Sequence, residues 1–97
     1  MALLNDYDFE NLKNEAENFV LKELERQLET CSESVCRCND CILDMAAIAL
    51  NSVKPLYRVS LLGTLYAAQA MDEKAYGSSL RDAVFRAIEK VQRNPGH

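Results

Sequence analysis

CSESVCRCNDCILDMAAIALN, residues 31–51, holds all four cysteines of the chain in its first eleven positions and then becomes an apolar run. The spacing is Cys31-x4-Cys36-x-Cys38-x2-Cys41. A structural Zn²⁺ takes four ligands in a tetrahedron, and a Cys-x2-Cys pair is a standard half of such a site. Cys38 falls just before a predicted helix and Cys41 in its first turn. There the unpaired backbone N–H groups and the helix dipole favour thiolate over thiol. Cys31 and Cys36 supply the other half, with SESV long enough to bring them together. Four thiolates on Zn²⁺ leave a local charge of −2, which Arg37, inside the cluster, is placed to offset. Asp44, three residues after Cys41 on the same face, either orients a ligand or an arginine, or is a surface acid or a buried one paired with Arg37 or Arg58.

Other chemistries compete for these sulfurs. Disulfides need an oxidising compartment, and nothing in the sequence signals one. Cys36 and Cys38 could form a thiol switch, but no βαβ pattern accompanies them. An iron–sulfur cluster also takes four thiolates. A structural zinc, one per chain, is the preferred reading. With four protein ligands it has no open position for catalysis.

The rest of the chain reads as helices on either side of this loop. Upstream, Phe9, Leu12, Ala16, Phe19, Val20, Leu24 and Leu28 repeat at three-and-four spacing, predicting one helix from about Asp6 to Glu29 with Asn5 or Asp6 as N-cap. Such a helix would be about 36 Å long, enough for part of it to face a second subunit. Asn39 is the expected N-cap of the next helix, which should end near Asn51 ahead of Pro55. Its apolar residues cover most of its circumference, predicting a central, buried helix. VKPLYRVS, residues 53–60, reads as coil, since a lone strand there has no visible partner. A third helix is expected from about Leu61 to Tyr76. A fourth should open at Ser79 with Asp82 as its capping box and present Leu80, Val84, Ala87, Ile88 and Val91 inward. The fold class is therefore all-α: about four helices around a zinc site, in one domain over 1–97.

Composition bounds the function. The 97 residues are 48% hydrophobic and 27% charged, an ordinary globular balance, and a chain this short gains from a metal or a partner subunit. Residues 1–51 carry 11 acids and 4 bases, residues 52–97 carry 4 acids and 7 bases, and the total is −4. That is far from the strongly basic profile of a nucleic-acid-binding domain. No apolar run reaches membrane-spanning length and the N-terminus has no secretory pattern, so a cytoplasmic location is expected. The only histidine is His97, the last residue, with no nucleophile in triad context beside it. No enzymatic activity is expected.

Together, CRCNDCILDMAAIALNSVKPLYRVS resembles the signature of the late-competence ComFB family. Its pattern is matched at Cys36, Cys38, Cys41, Asp44, Ala47, Ala49, Leu50 and Asn51, then at Pro55, Tyr57 and Ser60. Asn14, Glu17 and Val20 match it upstream, and AIEKVQRNPGH is similar to the family's ending. The resemblance implies a small, helical, dimeric protein with a cysteine-held structural zinc, tied to DNA uptake in natural competence. It also implies no catalysis, although some relatives are receptors for cyclic dinucleotides. The chain departs from the pattern with Val53-Lys54 before Pro55 and with Arg58 where an apolar residue is common.

The leading expectation is thus an adaptor or regulatory module that pairs with itself and with competence or signalling proteins. The second is a cyclic-dinucleotide receptor, with Asn51, Tyr57 and Arg58 on the connector as the ligand-binding candidates. For Asn51 the preferred reading is a C-cap, in the left-handed conformation that Asn tolerates. A third, weaker expectation is a single-stranded DNA-binding accessory, which the acidity and the lack of Trp disfavour. The basic residues Arg81, Arg86, Lys90 and Arg93 on the last helix form a solvated face, a dimer contact or a phosphate contact.

Overall fold

Asn14 decides where the first long helix begins. Its Oδ1 accepts the N–H of Ala16 at 3.1 Å and that of Leu56, far along the chain, at 2.8 Å. The next residue, Glu15, gives its own N–H to the Leu56 carbonyl at 2.8 Å. Residues 13–15 thereby exchange helical hydrogen bonds for tertiary ones, a competition in which Asn side chains often prevail. The expected helix from Asp6 to Glu29 is therefore broken, and its long part starts at Ala16.

A computed structural model of the chain describes residues 2–59 and 74–95. The elements are α1 (Leu3–Asp6), a 3₁₀ turn (Phe9–Asn11), β1 (Lys13–Asn14), α2 (Ala16–Thr30), α3 (Asn39–Leu50), β2 (Tyr57–Arg58) and α4 (Lys74–Arg93). The described residues are mostly helical, as the sequence led us to expect, although α1 was not among the expected helices. β1 and β2 add a two-residue antiparallel ladder, Lys13 opposite Arg58 and Asn14 opposite Tyr57. The connector read as coil is thus partly a strand. Its partner lies inside the segment assigned to the first helix, which is why periodicity could not reveal it.

Further boundaries differ from expectation. The N-cap of α3 is Cys38, whose sulfur accepts the Cys41 N–H at 3.4 Å, and Asn39 is already helical. Asn51 does cap the C-terminus of α3, its N–H reaching the Ala47 carbonyl, but at φ −74° and ψ −10° it is right-handed. Ser79 lies within α4, which runs unbroken from Lys74, so Ser79 and Asp82 do not form an N-terminal capping box. Of the expected helix at 61–76, residues 60–73 lie outside the described residues, and 74–76 belong to α4.

Helices α2, α3 and α4 enclose one core. α2 contributes Ala16, Val20 and Leu24, α3 contributes Cys41, Met45 and Ala49, and α4 contributes Leu80, Val84, Ala87, Ile88 and Val91. The α4 face is the one that its spacing predicted. Burying a side chain such as Leu80, which is wholly inaccessible, is worth about 1.5–3 kcal/mol. α3 is less enclosed than its composition suggested: only the i, i+4, i+8 stripe is buried, and Leu43 is 58% exposed. Its remaining apolar residues are half-buried or exposed because only α2 and α4, of the described elements, pack closely on it.

Candidate metal centre

The 31–38 loop owes its path to three local features. Ser32 turns it: its hydroxyl lies 2.9 Å from that of Ser34 and accepts the Ser34 N–H, while its carbonyl accepts the Val35 N–H. Val35, the lone aliphatic residue in a polar stretch, is buried in the core and pins the middle of the loop. Arg37 then reaches back to the end of α2, donating from Nη2 to the Leu28 carbonyl at 2.6 Å. Its Nη1 donates to the carbonyls of Val35 at 2.9 Å and Ser32 at 3.3 Å.

The result is a sulfur trio at the N-terminus of α3. The Sγ atoms of Cys36, Cys38 and Cys41 all lie within 4.8 Å of one another. Around a tetrahedral Zn²⁺ with Zn–S bonds near 2.3 Å, neighbouring sulfurs stand about 3.8 Å apart. The trio can therefore close on one ion with small side-chain adjustments. None of the four cysteines is in a disulfide. Cys38 is exposed and Cys41 fully buried, so the trio runs from the surface into the core.

The two helical sulfurs are electrostatically unlike. The Cys41 backbone N–H, donated to Cys38 Sγ, holds the Cys38 thiol below its ordinary range, and the other cluster thiols reinforce this. Burial pushes the Cys41 thiol up to about 12, and the sulfurs of Cys38 and Cys36 push in the same direction. A bound cation reverses that cost, since a coordinating thiol is deprotonated outright.

Cys31, the fourth expected ligand, is not in the trio. It is the C-cap of α2, with its N–H on the Leu28 carbonyl, and is half-buried. It lines a different cleft of about 470 Å³ beside Arg26, Gln27, Thr30, Arg81, Asp82 and Phe85, towards α4. Arg37 acts on backbone carbonyls, a role that its position among the thiols did not suggest. Asp44 is exposed on α3.

The connector candidates have separate tasks. Asn51 caps α3. Arg58 donates from Nε to Glu15 Oε1 at 2.5 Å, a pair in which the glutamate side chain is only 9% exposed. The guanidinium holds the Glu15 carboxyl below its usual range, with help from the Asn18 amide and against the cost of burial. Tyr57 is 64% exposed. Glu15 was missed by the sequence reading because it looked like one more acid on an acidic helix. Arg58, standing where an apolar residue is common in the family pattern, was the only available hint of a buried partner.

These features define a small helical protein with a thiol trio able to hold a metal ion at a helix N-terminus. The family model of the late competence development protein ComFB matches residues 13–95, and the chain belongs to that competence-associated family. It is also similar to the solved structure of the late competence protein ComFB from Bacillus subtilis. The TM-score is 0.74 at 22% identity, over 88% of this chain and 92% of that one, a likeness of fold. No curated protein matches the chain. Among the described residues, no helix is long and apolar enough to cross a membrane.

Proposed function

We propose that the chain is a non-enzymatic, zinc-binding helical protein, acting as a homodimer in an adaptor or regulatory role in competence or linked signalling. The observation that carries the metal part is the convergence of Cys36, Cys38 and Cys41 at the start of α3. These three thiolates would hold one structural Zn²⁺ per chain, tying the loop after α2 to the first turn of α3. When bound, the ion supplies positive charge that keeps the thiols ionised and adds its binding energy to folding. In the four-thiolate form, Cys31 joins by leaving the cleft that it lines beside α4.

Native mass spectrometry of protein purified without chelator tests this reading directly. The expected result is a dimer carrying two Zn²⁺ ions that melts at a markedly lower temperature once chelated. A metal-free chain whose melting is indifferent to added zinc overturns the metal part, and a monomer overturns the dimer.

The rival reading, a cyclic-dinucleotide receptor, draws on the exposed Tyr57 ring as a stacking surface. Calorimetric titration with cyclic dinucleotides decides it, and absence of heat at high ligand concentration rejects it.

A further inference from the structure

One guanidinium reaches three carbonyls around the thiol trio. Arg37 lies between Cys36 and Cys38, so fixing its side chain fixes the backbone that carries two of the three sulfurs. Its Nη2 contact, at 2.6 Å, is to Leu28 O in the last turn of α2, a carbonyl that also accepts the Cys31 N–H at 3.4 Å. Its Nη1 contacts, to Val35 and Ser32, close the loop onto itself. Val35, whose side chain is buried in the core, holds the same segment a second way. The loop is thus tied both to the end of α2 and to the core by the chain's own contacts. A loop already ordered does not draw its ordering entropy from the binding energy.

We propose that Arg37 is the positioning residue of the thiol trio: its fork onto Leu28, Val35 and Ser32 holds Cys36 and Cys38 convergent on Cys41 in the metal-free chain. This rests on the metal-binding reading above for its use, but not for its geometry. Lysine is not equivalent here, because a single ammonium cannot span carbonyls on two sides as a planar fork does.

The test uses the full chain as wild type, Arg37→Ala, Arg37→Lys and the control Arg26→Ala. Arg26 pairs with Glu23 on the surface of α2. Cobalt(II) is titrated in against a competing chelator and followed by its thiolate charge-transfer band. Loss of an outer-shell partner typically weakens metal affinity roughly 10–100-fold. Arg37→Ala should show a loss of that size, Arg37→Lys a partial recovery, and Arg26→Ala wild-type affinity. The saturated band should keep its wild-type shape, because the ligands themselves remain. Wild-type affinity in Arg37→Ala overturns the proposal. Should that variant lose its helical signal, wild-type affinity in Arg37→Lys overturns the need for a guanidinium.

A second measurement needs no metal. A trivalent organoarsenical that bridges neighbouring thiols should trap the metal-free wild type quickly and Arg37→Ala several-fold more slowly. Equal trapping rates overturn the proposal. If the wild type takes up no cobalt, the metal reading falls, and the arsenical rates alone decide whether Arg37 positions the thiols.

Discussion

The two ends of α2 are held by opposite strategies. At its C-terminus, the Leu28 carbonyl is taken by Arg37, nine residues downstream, inside a loop that folds on itself and gathers three sulfurs. At its N-terminus, the Ala16 N–H goes to Asn14, which also holds Leu56, and the neighbouring Glu15 pairs with Arg58, 43 residues away. One end is closed by local chemistry with a place for a metal, the other by a tertiary latch around a nearly buried carboxylate. The difference separates contacts made within nine residues of sequence from a contact made across 43.

Breaking the C-terminal clamp at its sulfurs should have the largest effect. Cys38→Ser or Cys41→Ser is expected to lower bound zinc from about one per chain to near zero by elemental analysis. The melting temperature should fall to that of the chelated wild type, since structural zinc supplies folding energy directly. Cys31→Ser should retain the ion if the trio alone is sufficient, and loss of zinc in that variant would restore the four-thiolate site.

At the other end, Arg58→Met leaves Glu15 without its counter-charge and should lower stability in urea while zinc content stays constant. Folded Glu15 releases its proton more readily than the unfolded chain, whose carboxyl keeps the ordinary value of 4.5. The pair's stabilisation is therefore complete above that value and fades as pH falls through the lower, folded one. Wild type and Arg58→Met should differ most above pH 4.5 and converge in stronger acid. A difference independent of pH would mean that the arginine acts through packing alone. Asn14→Ala gives the smallest change, about 1–2 kcal/mol in urea for two lost hydrogen bonds. Zinc affinity in it should match the wild type, keeping the two ends separable.

The same contrast explains what the sequence made legible. The α4 face could be read from hydrophobic spacing, because those residues meet the core in a helical period, and the end of α3 at Leu50 from Asn51 and Pro55 beyond it. The thiol cluster could be read because its cysteines lie within eleven positions. Cys31 was assigned to the metal because SESV is long enough to bring it to Cys36, whereas in the fold it ends α2 and lines the cleft beside α4. The break before Ala16 was illegible, since Asn14 and Glu15 look like ordinary helix-surface residues until Leu56 and Arg58 are brought beside them. Cys38 as an N-cap was hidden by Asn39, the better cap by type, because the sulfur's placement depends on the loop and not on propensity.

The pairing of Glu15 with Arg58 also imposes an order on the chain as it is made. Synthesis delivers the carboxylate 43 residues before its guanidinium, while Arg37 follows Leu28 by only nine. Contacts near in sequence close shorter loops, at a lower entropic cost, than distant ones. The thiol loop can therefore gather while the start of α2 still lacks its closing partner. A nascent chain of this protein has its thiol loop made before it can close the start of α2.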